Sequence, residues 1–315
     1  MSYVEKQRHG NHDYFYLVKS IRVSPTSVKK IKIFLGRQMP AHSELQKRFA
    51  ELEKKVPGSF SPKQLSTELA EKIDDLRSSV ITFKNFPDDA LPKDFLVRFT
   101  YNTNAIEGNP LTLRETALIL VDGIAPQGAK TNDIVEVSNG KDAWEFVKTY
   151  KNGLNEDFVC KTQFEITKNT TCRLQGKYRD SEVGISGSDW KPPAAKEVPK
   201  EIETALQEFK QLKKQLHPVE LASWIHNKTV QVHPFTDGNG RTARLLMNWV
   251  LIKHKLPPVI IEAKNKQEYY NTIEAADKGD EKPFVEFLAK QLLQQYTIKE
   301  TKNEKTAKEN LLEPR

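Results

Sequence analysis

The chain has 315 residues, of which 37% are apolar and 29% are charged, and its formal net charge is +7. This length allows one large domain or two smaller ones with a substantial buried core, so folding needs neither disulfides nor metals. No apolar run approaches the roughly eighteen residues that a membrane span requires. Residues 1–6 lack the order of a signal peptide. We therefore expect a cytoplasmic protein with no membrane partner.

Cysteine and charge patterns argue against two classes of partner. Cys160 and Cys172 stand alone, without the paired spacing of thiolate metal sites, which favours small buried side chains in a reducing compartment. The 49 Lys and Arg residues are scattered among 42 acidic residues and form no dense basic stripe with interleaved aromatics. We interpret the basic charge as a solvated surface, with nucleic acid as the alternative partner through phosphate neutralisation.

The first 95 residues contain two kinds of pattern. Residues 14–19 and 28–35 are short runs rich in β-branched and aromatic residues, and a turn separates them, which predicts a hairpin. Helical spacing follows, in two sets of apolar positions: Leu45, Phe49, Leu52 and Val56, then Leu65, Leu69, Ile73, Leu76 and Val80. This region carries no recognisable chemistry, so packing on the core, target recognition and dimer formation are all open roles.

Helical patterns dominate the rest of the chain. Helices are predicted over 92–107, from a capping box formed by Thr112 to Glu115, over 199–216, over 218–232 and from Arg241. Glycines and prolines around short β-type runs predict an exposed hairpin within residues 176–193. Beyond Thr297 almost nothing can be buried, which predicts a frayed or disordered tail.

Residues 233–244, between two predicted helices, contain an arrangement suited to phosphate. The Gly238-Asn239-Gly240 turn opens directly into a helix, whose first N–H groups are unpaired and can bind an anion. Arg241 and Arg244 lie three apart on the first turn of that helix. They add two permanent positive charges, which suit the several oxygens of a polyphosphate.

The same segment also supplies a carboxylate and a base. Asp237 precedes the turn and offers an oxygen ligand of the kind that Mg²⁺ accepts beside phosphate. His233 ends the preceding helix and suits proton abstraction near neutral pH. Each residue alone has an ordinary structural explanation, such as turn chemistry or a solvated helix face. Their joint arrangement favours function, and a P-loop is excluded because G-x-x-x-x-G-K-[ST] occurs nowhere in the chain.

These twelve residues, HPFTDGNGRTAR, resemble the Fic-family signature HPFx[D/E]GNGRxxR and match it at every specified position. The likeness extends over roughly residues 95–292 and includes the runs 176–179 and 187–193. The resemblance implies a mainly α fold, with a Fic-type helical core and a β-hairpin flap. It also implies transfer of a nucleotide, usually AMP from ATP with Mg²⁺, to a Ser, Thr or Tyr hydroxyl.

The resemblance implies a role for each residue of the signature. His233 would deprotonate the incoming hydroxyl, and Asp237 would hold Mg²⁺ against the phosphates. The Gly238-Asn239-Gly240 turn would bind the negative charge that grows on the α-phosphate. Arg241 and Arg244 would bind the β- and γ-phosphates.

Three further features follow from the resemblance. Residues 182–192 match a flap that pairs with an extended piece of the target through main-chain hydrogen bonds. Tyr269 and Tyr270 resemble residues beside the adenine, although two aromatics on a predicted helix fit a core position equally well. Asp277 stands where relatives often carry Asn near the nucleoside. Because a carboxylate accepts hydrogen bonds but does not donate them, the choice of ATP over another nucleotide is open.

An upstream segment, Thr103-Asn104-Ala105-Ile106-Glu107-Gly108, resembles the inhibitory motif [S/T]xxxE[G/N] of Fic proteins with an N-terminal inhibitory helix. Thr103 and Glu107 share a helix face, and Gly108 ends the helix. A Glu107 carboxylate paired with Arg244 would occupy the guanidinium that the γ-phosphate needs. The resemblance therefore implies autoinhibition by Glu107, and in some relatives the same glutamate supports removal of AMP.

The sequence thus predicts three parts: an N-terminal hairpin and helical region over 1–95, a Fic domain with its inhibitory helix over 96–296, and a charged tail over 297–315. We expect a protein adenylyltransferase whose target is a protein, with self-modification as one possibility, and which forms a homodimer or homo-oligomer. Two alternatives are a protein that senses ATP without transferring AMP from it and a transferase that uses another nucleotide donor.

Overall fold

In the computed structural model the described residues are 2–9, 12–24, 27–41, 44, 45, 47–49, 64–80, 94–185 and 187–296. The chain begins with a three-stranded antiparallel sheet in the order β1 (Ser2–His9), β2 (His12–Ser24) and β3 (Ser27–Gly36). The pairing of β2 with β3 confirms the predicted hairpin and lengthens it. The sequence pattern missed β1 because charged and amide side chains fill most of its second half.

One face of this sheet has a small apolar core of its own. Leu17 and Ile33 are buried, and Val4, Leu35 and Phe49 pack against them. The alternation of side chains along paired strands places these strand residues on a common face. Of the helix predicted around Phe49, residues 44, 45 and 47–49 are helical, and residues 50–63 lie outside the described residues.

Helices make up most of the described chain after the sheet. Their bounds are α1 (Thr67–Val80), α2 (Phe95–Ile106), α3 (Leu113–Ala117), α4 (Thr131–Thr149), α5 (Glu156–Thr167), α6 (Val198–Leu212), α7 (Pro218–Val232), α8 (Asn239–Lys253), α9 (Lys266–Asp277) and α10 (Lys282–Tyr296). A π-helical turn, Leu118–Asp122, continues α3. The helices predicted from residue 65 onward are confirmed, with ends shifted by up to four residues.

Local signals explain where two of these helices begin. At α3 the Thr112 hydroxyl accepts from the Glu115 N–H at 3.2 Å, and the Glu115 carboxylate accepts from the Thr112 N–H at 2.8 Å, which completes the predicted capping box. Helix α8 begins at Asn239, two residues before the predicted start at Arg241. Gly238 has a φ of 79° and makes the sharp entry that a side chain would disfavour.

The main core surrounds α7 and α8, which pack side by side and are buried along nearly their whole length. Apolar residues of every other labelled helix except α3 join the same core. Leu65 and Ile73 belong to it as well, so α1 packs on the helices that follow it. The division of the chain at residues 95 and 96 stays a prediction.

Two sequence expectations have a different outcome. The hairpin expected within residues 176–193 is not formed by the described residues, which contain turns and bends and no strand pairing. Their backbone is instead fixed by side chains, since Arg179 donates to the Ser181 and Pro193 carbonyls and the Trp190 indole donates to the Gln231 carbonyl. The predicted tail, 297–315, lies outside the described residues. Among the described residues, no helix has the length and apolar character to cross a membrane.

Close packing of α2 against α4 depends on a glycine. A Cβ at Gly140 would lie 2.6 Å from Cγ2 and 2.9 Å from Oγ1 of the buried Thr100. Overpacking costs about 1–3 kcal/mol, and replacing a helical glycine by alanine returns up to about 1 kcal/mol. We expect Gly140→Ala to lower the free energy of unfolding by on the order of 1 kcal/mol, measured by urea titration.

The matched background is Thr100→Ala, which removes both close atoms. There Gly140→Ala should become neutral or stabilising, by up to about 1 kcal/mol. An equal effect of Gly140→Ala in both backgrounds would show that Thr100 does not limit this helix contact.

Candidate active site

His233 lies at the junction of α7 with the loop that leads to α8. It adopts a left-handed backbone conformation, with φ of 47°, and its N–H donates to the Thr229 carbonyl at 3.0 Å. Such a conformation is costly for a residue other than glycine and persists only where the surroundings enforce it. Arg179 does so, because its Nε donates to the His233 carbonyl at 2.8 Å and its N–H donates to the Pro234 carbonyl at 2.9 Å.

The His233 ring is set up as a neutral base. Its Nδ1 lies 3.3 Å from the Val230 carbonyl oxygen. A carbonyl can only accept, so Nδ1 carries the proton and Nε2 keeps a free lone pair. Burial, assisted by the Arg179 charge, lowers the pKa of His233 below its usual value, while the Val230 carbonyl, Glu107 and Asp237 act in the opposite direction. The ring is therefore neutral at neutral pH.

The Gly238-Asn239-Gly240 turn begins five residues after His233 and forms the N-terminus of α8. The Asn239 side chain both accepts from the Phe235 N–H and donates to the Phe235 carbonyl, each at 2.9 Å. This amide therefore fixes the loop, and only its backbone is left to face an anion. The first N–H groups of α8 have no intrahelical partner, and together they carry the positive end of the helix dipole.

The Asp237 carboxylate suits a metal ion whose other ligands are the phosphate oxygens of a bound nucleotide and water. Its carboxylate accepts from the Gly238 N–H at 2.6 Å and from Arg241 at 3.1 Å, and its side chain is 50% exposed. Among the described residues, no group of three His, Cys, Asp or Glu side chains lies close enough to hold a metal ion. Mg²⁺ commonly takes one or two carboxylates and completes its shell with phosphate oxygens and water. One exposed carboxylate beside a phosphate cradle meets that requirement.

Arg241 is buried and surrounded by oxygen. Beyond Asp237, it lies 3.6 Å from the Glu136 carboxylate and 3.5 Å from the Asn104 amide oxygen. Glu136 also accepts from the Asn109 amide at 3.0 Å. Asn109, which follows Gly108 of the predicted inhibitory motif, therefore contacts the same Glu136 carboxylate as Arg241, a predicted phosphate ligand.

Arg244 is the most constrained charge of the site. Its Nε donates to the Thr103 hydroxyl at 2.8 Å, and one terminal nitrogen donates both to the Thr103 carbonyl at 2.9 Å and to the Glu107 carboxylate at 2.7 Å. The other terminal nitrogen donates to the Tyr269 hydroxyl at 3.3 Å. With a side chain only 2% exposed, the guanidinium has almost no contact with water.

Glu107, at the C-terminal end of α2, lies over the start of α8. A Cβ at Gly240 would overlap the Glu107 carboxylate, so only glycine leaves room for it. Burial by itself would raise the pKa of Glu107, but Arg244, then Arg241 and Lys266, hold it below its usual value. The side chain stays 34% exposed. Glu107 is thus an ionised carboxylate at the place where the sequence predicts a phosphate.

The two adjacent tyrosines of α9 have different surroundings. Tyr269 is 1% exposed, and its ring packs against Phe284 and Phe287. Tyr270 is 40% exposed, and its hydroxyl donates to the Ile106 carbonyl at 3.3 Å. Of these two tyrosine rings, only that of Tyr270 is exposed enough in this conformation to contact a nucleotide base. Asp277 ends the same helix, and burial raises its pKa to about 6.

The structure brings together the predicted site residues of α7, α8 and the end of α2. The Tyr269 hydroxyl contacts this group by accepting from Arg244. Residues that sequence reasoning gave no role hold this group in place: Glu136, Gln163, Arg179, His226, Asn227 and Glu281. Each is a single polar residue within a helical or loop pattern, and no local signal distinguishes it from a solvated one.

Comparison with known proteins identifies the family. Residues 153–251 match the model of the Fic/DOC family. The chain is 35% identical over 239 residues to the protein adenylyltransferase Fic of Nematostella vectensis. The aligned region covers 72% of this chain and 55% of the relative. Through its Fic domain, this chain belongs to the Fic/DOC family. It is also 33% identical over 198 residues to the protein adenylyltransferase fic-1 of Caenorhabditis elegans.

Solved structures show the same fold. A Fic domain containing signaling protein from Bacteroides thetaiotaomicron superimposes with a TM-score of 0.66 at 26% identity, over 73% of this chain and 94% of that chain. Fic-1 from C. elegans gives 0.67 at 26% identity, over 85% and 79%. These matches confirm the mainly α Fic-type fold. The chain spans only 39–55% of the length of the two curated relatives named above.

The protonation state of His233 is directly measurable. We expect NMR titration of the labelled imidazole to give a pKa below the ordinary value of about 6.5, with Nε2 unprotonated at neutral pH. Asp237→Asn removes a charge that favours the imidazolium and should lower this pKa further. The urea-unfolded chain serves as the reference. A folded-state pKa at or above the unfolded one would contradict the proposed environment.

Proposed function

We propose that this protein is a protein adenylyltransferase that moves AMP from ATP onto a Ser, Thr or Tyr hydroxyl of a protein and rests in an autoinhibited state. The observation that carries the proposal is the joint position of a neutral His233, an open helix N-terminus and two buried arginines. A proton acceptor and a polyphosphate site therefore face the same space. The names of the curated relatives, protein adenylyltransferase Fic, support the same chemistry.

In the proposed reaction, Nε2 of His233 takes the proton of the target hydroxyl. The hydroxyl oxygen then attacks the α-phosphorus, and the bond to the bridging oxygen of the β-phosphate breaks. Pyrophosphate leaves with that electron pair, and the target keeps the AMP. The N–H groups at the start of α8 are fixed before the reaction and stabilise the charge that grows on the α-phosphate.

The two arginines bind the leaving part of the nucleotide in this proposal. Arg241 and Arg244 offer planar N–H donors that match phosphate oxygens. Asp237 is the residue that would hold Mg²⁺, whose charge would neutralise the phosphates and favour pyrophosphate departure. Tyr270, with its exposed ring beside the site, is the residue of the tyrosine pair that we assign to the adenine.

Inhibition follows from competition between two anions. The ionised Glu107 carboxylate uses an Arg244 donor and lies against the first turn of α8, where a phosphate would bind. ATP therefore places its γ-phosphate correctly only after Glu107 withdraws. We also propose, from the family resemblance, that the same carboxylate orients water for removal of AMP from modified targets.

The target-binding element is proposed to be residues 182–192. Its described residues form no strand pairing, so their main chain is available for a target segment. The Trp190 indole ties this segment to α7 at 2.9 Å from the Gln231 carbonyl oxygen, close to His233. A target hydroxyl held there would lie near the base.

Release of Glu107 should activate the protein. We expect Glu107→Gly to raise the incorporation of label from α-labelled ATP into protein by about 5- to 150-fold, the usual range of coupling between two sites. Glu107→Gln, which keeps the side-chain size and loses the charge, should give an intermediate rate. His233→Ala in the Glu107→Gly background should lower the rate by about 10²- to 10⁴-fold, as removal of a general base does, while ATP binding persists.

Each alternative has its own outcome in this experiment, which includes Mg²⁺ and a parallel set with chelator. An unchanged rate in Glu107→Gly would sink the proposed inhibition. ATP binding without any transfer by all variants would favour an ATP-sensing protein. Transfer from labelled UTP or GTP in preference to ATP would change the donor, and Asp277 is the residue to test next in that case.

We further propose that the protein forms a homodimer through residues 113–124. Leu113, Val121 and Ile124 are 44%, 71% and 55% exposed, and the π-helical turn between them contains no buried residue. Several exposed apolar side chains within one short segment favour an interface. A second copy of the chain fits best, because the same apolar surface on both copies satisfies a two-fold contact.

Sedimentation equilibrium tests this surface. We expect the wild-type protein to have twice the mass of one chain and Val121→Asp with Ile124→Asp to have the mass of one chain. Gln127→Asp, at a neighbouring exposed polar position, should leave the dimer intact. A wild-type protein that stays monomeric at all concentrations measured would overturn the proposed dimer.

A further inference from the structure

A line of hydrogen bonds leads from Arg244 away from the nucleotide site and into the core. Arg244 donates to the Tyr269 hydroxyl at 3.3 Å, and that hydroxyl lies 2.7 Å from Nε2 of His226. Nδ1 of His226 lies 2.9 Å from the Asn227 amide oxygen. The Asn227 amide nitrogen donates to the Glu281 carboxylate at 2.6 Å. Four segments contribute: α8, α9, α7 and the residue before α10.

The chemistry of the groups gives every bond in this line the same direction. A guanidinium can only donate, so the Tyr269 oxygen accepts from Arg244 and its single proton goes to Nε2 of His226. His226 then carries its own proton on Nδ1 and donates to the Asn227 oxygen. The Asn227 nitrogen donates to a carboxylate, which only accepts when ionised. The line therefore runs from a cation to an acid without a mismatched pair.

Burial strengthens this line. All five residues are at most 6% exposed. Hydrogen bonds in such an environment are stronger than in water and polarise one another, and an unpaired member is costly. Burial also lowers the pKa of His226 to about 3, in agreement with a neutral ring that accepts at Nε2. It raises the pKa of Glu281 to about 7, against the opposing effect of the Asn227 hydrogen bond.

The line gains importance when inhibition is released. Thr103 and Glu107 both lie at the inhibitory helix α2 and supply three of the hydrogen bonds that hold Arg244. If the end of α2 withdraws, these bonds weaken together. The Tyr269 hydroxyl comes from α9 and is independent of that movement. It is then the contact that keeps the guanidinium pointed at the polyphosphate.

We propose that Tyr269, His226, Asn227 and Glu281 form a positioning relay that holds Arg244 in its phosphate-binding orientation in the released state. The proposal rests on the transferase activity proposed above. None of the four residues would touch the reacting atoms. Glu281 ends the line with an oxygen that accepts from the Asn227 amide.

The test uses the Glu107→Gly protein as the parent. Tyr269→Phe removes the hydroxyl and keeps the buried ring. We expect the KM for ATP to rise about 10-fold or more, as loss of a hydrogen bond to a charged group implies, with kcat within about 3-fold of the parent. Binding of a non-hydrolysable ATP analogue, measured by calorimetry, should weaken by the same factor.

Glu281 gives a second, independent pair of variants. Glu281→Gln keeps an oxygen that accepts from Asn227 and should keep KM within about 3-fold of the parent, whereas Glu281→Leu should reproduce the rise in KM seen for Tyr269→Phe. This pair keeps the proposal testable if Tyr269→Phe fails to fold. The matched control is Phe287→Leu, a buried neighbour of Tyr269 outside the relay, which should lower Tm without moving KM.

The outcomes separate the two proposals. Absence of transfer by the Glu107→Gly parent would overturn the proposed function before the relay is tested. Transfer by the parent together with an unchanged KM in Tyr269→Phe and in Glu281→Leu would overturn the relay alone. An equal rise in KM for Phe287→Leu would also overturn it, because the effect would then reflect general loss of packing.

Discussion

The need to satisfy one buried guanidinium organises the functional end of this protein. Arg244 projects from α8 into a region with almost no water, where an uncompensated cation is costly. Thr103, Glu107 and Tyr269 meet that need from two other helices. In the proposed function, a nucleotide displaces the Glu107 carboxylate from this guanidinium, so stability and regulation would be linked at a single side chain.

The proposed inhibitory contact needs only one carboxylate and one glycine. Glu107 lies at the positive end of α8, where we propose that a phosphate binds, and Gly240 leaves the space that this carboxylate fills. The same glycine allows a phosphate to approach the backbone N–H groups. A Cβ at this position would overlap the Glu107 carboxylate where it lies now. In the proposed function, the resting and working states share one binding surface, and the difference between them is the anion that occupies it.

Rigid local bracing makes this competition possible. The left-handed conformation of His233 is held by Arg179, and the Asn239 amide closes the loop on the Phe235 backbone. Neither brace depends on Glu107. In the proposed function, withdrawal of the carboxylate would thus free the phosphate site without moving the backbone of His233. The exposed apolar residues of 113–124 closely follow Glu107 in sequence, so the proposed self-association would act close to the segment that withdraws in the proposed activation.

The sequence by itself determined the features that depend on neighbours along the chain. The turn at 238–240, the arginines one helical turn apart, the Thr112 capping box and the helix over 218–232 follow from spacing and backbone preference. Tertiary structure alone decided which distant groups meet. The approach of Glu107 to Arg244 spans 137 residues and was expected only through a family resemblance. The helical pattern allowed a core position for either tyrosine and did not decide which one is buried, and the bracing by Arg179 and the line of bonds to Glu281 had no signal in the sequence. Local spacing fixes the face on which a side chain lies, but the packing of whole helices decides what that face contacts.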